Sequence, residues 1–318
     1  MENYINSAVE QFRSILTEQI ARQRKMEQDK RVTDYSKLDK IIIGICGGDG
    51  IGPIISAESE RLLQFILKDE IAAGKIELRT IEGLTIEIRI AHNQDIPDDV
   101  LGSRGVEIPD TLAFDFKVTT NEGTKRIARA AFEYAKNNGK TSVAIVTKAN
   151  IMKKTDGKFS DLCHEVAKDY PGIEAEDWYI DIMTANLVNE RTRSKFQVFV
   201  LPNLYGDIIT DEAAQIQGGV GTAGSANLGD VYAMFEAIHG SAPRMIETGR
   251  GQFANPTSMF KATEMLLRHI GFVDKANKLN EALHICTEVE KKYVITGHED
   301  GATCSQFGDY LMQTIETL

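Results

Sequence analysis

The sequence predicts an α/β protein built on a mainly parallel sheet, and three observations carry that prediction. Short apolar runs that suit buried strands, at Ile41–Cys46, Ser142–Val146 and Phe196–Leu201, alternate with stretches of helical periodicity. Strands separated by helices are joined by crossovers, which places helices on both faces of the sheet. The chain has 318 residues, 42% of them hydrophobic and 26% charged, an ordinary globular composition whose length leans toward two domains.

The elements follow in order. Between residues 4 and 31, Ile5, Val9, Phe12, Leu16 and Ile20 recur at three- and four-residue steps among charged positions, which reads as an amphipathic helix that docks on the main fold without carrying chemistry. At Lys40 the pattern changes to IIIGIC, a continuous apolar run suited to a strand covered on both faces. The glycine-rich stretch GGDGIGP follows, and then a helical pattern from Ile54 to Leu67. The middle of the chain repeats the unit: a helix at about 122–138 ended by Gly139, a strand at Ser142–Val146, and a helix at about 158–169 ended before Pro171. A strand at Trp178–Ile180, a short helix, a strand at Phe196–Leu201 and a helix from Ile208 complete the alternation. The small-residue stretch Gly218–Gly229 reads as a hinge or a ligand-hugging loop, and helices return at Thr257–Ile270 and Val273–Val289.

Acidic residues outnumber basic ones by 47 to 36, for a net charge of -11, the wrong sign for binding nucleic acid through the overall field. No apolar run approaches the roughly 20 residues of a membrane helix. The N-terminus lacks the apolar core of a signal peptide, and Glu2, Glu10 and Glu18 argue against a transit peptide, so the expected compartment is cytoplasmic. Cys46, Cys163, Cys286 and Cys304 form no CxxC pair and read as reduced, mostly buried thiols.

Chemistry gathers at predicted strand ends, where a parallel sheet binds its ligands. Lys148 follows the strand at Ser142–Val146, Asp181 follows Trp178–Ile180, and Asp207 and Asp211 stand four residues apart beyond Phe196–Leu201. Convergent carboxylates supply oxygen ligands for a hard divalent cation, magnesium or manganese, and a Lys beside that cation would have a lowered pKa suited to a general base. Helix capping accounts for an Asp at a helix start equally well. The loop Gly47–Pro53 matches G-x-G-x-x-G in no register, so a standard Rossmann fingerprint is excluded, although its backbone amides can cradle an anion.

Five separated motifs occur in order: GGDGIGP, TKANIM (Thr147–Met152), NLYGDIITD (Asn203–Asp211), HGSAP (His239–Pro243) and ANPTSM (Ala254–Met259). Together they resemble the β-decarboxylating dehydrogenases, the family of isocitrate, 3-isopropylmalate, homoisocitrate and tartrate dehydrogenases, and most of all the bacterial NAD-type isocitrate dehydrogenases. The resemblance implies two α/β domains with a cleft between them. These would be a large dinucleotide-binding domain of residues 39–101 and 218–318 and a small substrate, metal and dimerisation domain of residues 102–217, after an N-terminal helical extension of residues 1–38. It assigns Lys148 to the substrate hydroxyl with Asn150 beside it, and Asp181, Asp207 and Asp211 to magnesium or manganese. Lys148 and Asp181 would serve the neighbouring subunit of a homodimer. His239, Gly240 and Asn255 fall in the adenine-side pocket of the cofactor. At the pair that tells NAD from NADP in the family, Met245 is apolar as in the NAD enzymes, while Arg244 offers a planar fork to a 2′-phosphate. The expected activity is NAD-dependent oxidation and decarboxylation of a small hydroxy acid, isocitrate first and 3-isopropylmalate or homoisocitrate next, or a non-catalytic subunit of the same family.

The chain departs from the family at one place. After Ile96–Leu101 the family carries a Thr-rich loop, an arginine cluster that clamps substrate carboxylates and a proton-donating tyrosine, whereas here the chain runs directly into GSRGVEIPD (Gly102–Asp110). Arg89 and Arg104 flank the junction and read as solvated charges. With the clamp absent, little or no isocitrate turnover is expected of the chain as written.

Overall fold

The computed structural model describes residues 2–28, 32–91, 105–108 and 112–318. In chain order its main elements are α1 (Glu2–Gln28), β1 (Ile41–Cys46), α2 (Gly52–Ile66), β2 (Ile76–Ile81), β3 (Gly105–Ile108) and β4 (Leu112–Asp115). There follow α3 (Asn121–Asn137), β5 (Ser142–Thr147), α4 (Thr155–Ala167), β6 (Glu174–Tyr179), α5 (Ile180–Val188), β7 (Val198–Val200) and α6 (Asn203–Gln217). The last are β8 (Gly224–Leu228), β9 (Ala233–Ala237), α7 (Thr257–His269), α8 (Val273–His284) and α9 (Cys304–Thr317). The chain divides into two compact units, a first of Met1–Lys30 with Ile96–Ile216 and a second of Arg31–Asp95 with Gln217–Leu318.

The first unit is organised by a parallel sheet in the order β6-β5-β7, with Val146 opposite Trp178 and Val143 opposite Val198. Val143, Ala144, Ile145, Val146 and Thr147 of β5 are all buried, because the strand has a neighbour on each edge and helices on each face. Val143 and Ile145 pack with Phe132 of α3 and with Phe159 and Cys163 of α4. Ala144 and Val146 pack with Met183 and Leu187 of α5 and Ile209 of α6. The helix α1 lies against α3 and β3, burying Ile15 and setting Phe12 against Phe116 at 5.3 Å between ring centroids. Its predicted apolar stripe is otherwise half exposed, from Ile20 at 44% to Ile5 at 54%.

Two boundaries in this unit differ from the sequence expectation. The strand expected at Trp178–Ile180 spans Glu174–Tyr179, because its pairing with β5 begins at Ser142 opposite Glu174, and Ile180 already opens α5. The helix expected from Ile208 begins at Asn203, where the N–H groups of Tyr205 and Gly206 bond to the carbonyl of Pro202. Asp207 therefore stands inside a helix and is not its cap.

In the second unit, β1 pairs in parallel with β2 and β8 pairs antiparallel with β9. Ile41 and Ile43 of β1 join Leu62 and Leu63 of α2, Phe260 and Leu267 of α7, Leu279 and Leu283 of α8 and Leu311 of α9 in one core. The expectation that IIIGIC is covered on both faces is corrected here. Ile42 is 51% exposed, and among the described residues β2 is the one strand beside β1. The stretch expected as a hinge at Gly218–Gly229 contains β8, and its glycine serves packing: a Cβ on Gly224 would lie 2.5 Å from the backbone nitrogen of Ala262 in α7. The expected helix Val273–Val289 is α8 followed by a π-helical turn at Ile285–Val289.

Cys163, Cys286 and Cys304 are buried free thiols, and Cys46 is exposed. Among the described residues no helix is long and apolar enough to cross a membrane. Residues 96–101, Arg104 and the junction between Leu101 and Gly102 lie outside the described residues; Arg89 falls in the short helix Ile86–Ala91.

Candidate active site

In the first unit the parallel register places the ends of β5 and β6 side by side, Thr147 opposite Tyr179. Lys148 directly follows β5 and Asp181 stands in the first turn of α5 beyond β6, and the Lys148 Nζ lies 2.7 Å from an Asp181 carboxylate oxygen. That ammonium, by hydrogen bonding, is the main cause holding the Asp181 carboxyl below its usual range. The Lys148 peptide is also tied on both sides. Its N–H donates to Asp156 Oδ2 at 2.8 Å, and its carbonyl accepts from the N–H groups of Ile151 and Met152 at 2.9 and 2.8 Å. Asn150 is exposed in the turn that this carbonyl closes.

Asp156 is wholly buried and pairs with the Lys117 ammonium. Burial alone would push its carboxyl up, but the hydrogen bonds from Lys117 and the Lys148 N–H outweigh it and hold the group below 3.8. Asp207 and Asp211 lie one turn apart on α6 and are exposed, because Ile209 and Ala214 are the side that α6 buries. Two carboxylates on one helix face are suitable oxygen donors for a hard divalent cation. Among the described residues of one chain, however, no group of three metal-ligating side chains forms, and Asp181 is engaged with Lys148.

In the second unit three of the sequence motifs meet. Gly50 has φ +60°, and a Cβ there would lie 1.9 Å from the carbonyl oxygen of Ser241, so the glycine loop and the HGSAP segment touch backbone to backbone. Their contact is a hydrogen bond from the Ile51 N–H to the Ser241 carbonyl at 2.9 Å. Ile51, Ile55 and Ala254 are buried together, with Ala242, Met245 and Met259 packed around them. Met245 thus belongs to the packing under the motifs, while Arg244 beside it is exposed. His239 Nδ1 sits 3.0 Å from the Gly240 carbonyl oxygen, and the Asn255 side-chain Oδ1 accepts the Thr257 N–H at 2.9 Å, fixing the entry to α7. Buried Ser258 accepts the Ile238 N–H at 3.2 Å and donates to the Ala223 carbonyl. A cavity of about 830 Å³ opens beside these segments, lined by Gly47–Asp49, β1, β9 and His239–Ser241. A cavity of this volume falls in the size range of small-molecule sites.

The structure brings together Lys148 and Asp181 of the residues the sequence singled out and leaves Asp207 and Asp211 exposed on α6, while Asp156, Lys117 and Ser258 were not singled out. Asp156 near the start of α4 reads as an ordinary helix-start acid, and nothing in the sequence joins it to Lys117, 39 residues away.

The model of the isocitrate/isopropylmalate dehydrogenases matches residues 98–311. The chain belongs to that family. It is 47% identical over 176 residues to the 3-isopropylmalate dehydrogenase of Archaeoglobus fulgidus, covering 55% of this chain and 52% of that one. It is 38% identical over 217 residues to the alpha subunit of the mitochondrial NAD isocitrate dehydrogenase of Macaca fascicularis, covering 67% of this chain and 61% of the other. Among solved structures, the isocitrate dehydrogenase of Methylococcus capsulatus superposes with a TM-score of 0.72 at 25% identity, covering 86% of this chain and 99% of that one. The chain spans about half the length of the curated relatives it matches. The α/β fold of this family is therefore the fold of the chain.

Proposed function

We propose that the chain carries the site of a metal-dependent oxidoreductase for a 2-hydroxy acid with a β-carboxylate, isocitrate as substrate and NAD as hydride acceptor, with low turnover by the chain as written. The observation that carries this reading is the Lys148–Asp181 pair, a base and a carboxylate presented together at the ends of adjacent parallel strands. Asp207 and Asp211 would hold magnesium or manganese, which supplies Lewis-acid stabilisation of charge developing on substrate oxygens. Since the described residues of one chain bring no third carboxylate to them, we assign Asp181 and Lys148 to the site of a second copy in a homodimer. There the Lys148 amine would take the substrate hydroxyl proton, with the exposed Asn150 amide as a hydrogen-bond partner for the substrate. His239, Gly240 and Asn255 would line the adenine side of the dinucleotide.

Oxidation of 3-isopropylmalate is the second reading, favoured by the 47% identity to the Archaeoglobus enzyme. The arginine clamp of the family is absent from this sequence, and poor substrate alignment of about 1 Å already costs on the order of 100-fold in rate. The chain as written is therefore expected to form little NADH from isocitrate and manganese, and turnover within the common range of about 1–1000 per second would show that other residues replace the clamp. Manganese titration by calorimetry should give binding that is lost in Asp207→Asn/Asp211→Asn; unchanged binding sinks the metal assignment. Sedimentation at micromolar concentration should show a dimer, and a monomer removes the shared site. Tighter binding of NADP than of NAD, abolished in Arg244→Ala, would replace NAD with NADP.

A further inference from the structure

We propose that Asp156 is a positioning residue for Lys148, the charged centre of a buried brace that fixes where the Lys148 chain leaves β5 and hence where its ammonium points. The inference rests on the proposed role of Lys148 and adds a residue that acts through it. A carboxylate taken wholly out of water is costly unless every oxygen is paired, and here both are. Oδ1 accepts from the Lys117 ammonium and from Thr155 Oγ1, and Oδ2 accepts from the Lys148 N–H.

A capping role does not account for this arrangement. A helix-start acid turns its oxygens to the N–H groups of its own first turn, whereas Asp156 reaches back out of α4 to the end of β5. Its own N–H goes to the carbonyl of Met152, which closes the loop from the other side. An apolar pair in place of Asp156 and Lys117 would fill the same space, often at no loss of stability. It would not hold the Lys148 N–H, and that bond sets the direction of the peptide that carries the Lys148 side chain.

The brace extends to the carboxylate helix. The Lys117 Nζ lies 4.4 Å from the centre of the Tyr205 ring, and Tyr205 is in the first turn of α6, two residues before Asp207. One buried carboxylate thereby couples the strand end that bears Lys148, the segment before α3 and the helix that bears Asp207 and Asp211.

The test uses the full chain labelled with [15N]lysine, with the Lys148 amide resonance assigned by its loss in Lys148→Arg. A charge-assisted hydrogen bond is expected to move this resonance downfield and to slow its hydrogen exchange. In Asp156→Asn the downfield position should be lost and exchange should accelerate about 10-fold or more. Acylation of Lys148 by acetic anhydride, measured by mass spectrometry against exposed Lys158, should rise several-fold as the ammonium leaves its fixed place. If Asp156→Asn does not fold, Asp156→Asn/Lys117→Met, which removes both charges together, takes its place with the same expected result. A folded variant whose Lys148 resonance and acylation rate match the wild type overturns the proposal. So does a wild-type Lys148 amide that exchanges as fast as those of exposed lysines. No readout requires substrate or metal, so failure of hydroxy-acid oxidation leaves the brace standing, and failure of the brace leaves the manganese and NADH assays to judge the function.

Discussion

The strands β5 and β1 read alike in the sequence and meet different fates. SVAIVT lies between β6 and β7 with helices on both faces, and every residue from Val143 to Thr147 is buried. Among the described residues IIIGIC has β2 on one edge and a core on one face, while Ile42 on the other face is half exposed and borders the cavity of the second unit. A continuous apolar run records what a strand can tolerate around it. Its neighbours are supplied by the rest of the chain, and in β1 they cover one face.

The buried carboxylates divide in the same way. In the first unit Asp156 is paired at both oxygens. In the second, Glu58 of α2 has its Oε2 buried without a hydrogen-bond partner, and Arg61 lies 3.6 Å from its other oxygen. Burial, helped by Asp309 and opposed by Arg61, pushes the Glu58 carboxyl up from 4.5.

The largest effect that would sharpen the comparison is expected from Lys117→Met. It leaves Asp156 buried without its counter-charge and should cost about 3–5 kcal/mol in urea unfolding; a loss below about 1 kcal/mol would mean that the pair is dispensable to the first unit. Next comes Ile145→Ala, a cavity in a strand covered on both faces, at about 2–5 kcal/mol.

The pH dependences should then run in opposite directions. Asp156 is lowered, so the stability it contributes is present above 3.8 and lost as pH falls through its folded value. Glu58 is raised, so the folded state favours its neutral form; that contribution is whole below 4.5 and lost as pH rises through the folded value. Glu58→Gln should accordingly be more stable than wild type at pH 7, with the gain gone below pH 4.5, as thermal melts across that range would reveal. A gain of the same size at both ends would mean that charge at Glu58 is not the cause.

The smallest effect belongs to Ile42→Thr on the open face of β1, within about 0.5 kcal/mol. A loss of 2 kcal/mol or more in the same unfolding assay would show that this face is covered in solution and would erase the contrast with β5.

Much of the first unit was legible in the sequence because its signals are local. The apolar run of β5, the helical period of α3 and α4 and the placing of Lys148 and Asp181 just beyond strands follow from neighbours along the chain. The start of α6 was misread because Asn203 and Gly206 are turn formers in isolation, whereas Pro202 and the packing of Ile209 make the stretch helical. The stretch Gly218–Gly229 was expected as a hinge or a ligand-hugging loop, and its Gly224 instead lets β8 approach α7 closely.

The α/β alternation and the family were legible along the chain, since periodicity, turn residues and motif spacing are properties of short segments. The tertiary structure alone decided that Gly50 meets Ser241, that Asp156 holds Lys117 and the Lys148 N–H, and that β1 is covered on one face. Each of these joins or separates segments far apart in the chain. Whether such segments meet is settled by how the whole core packs, which local patterns do not encode.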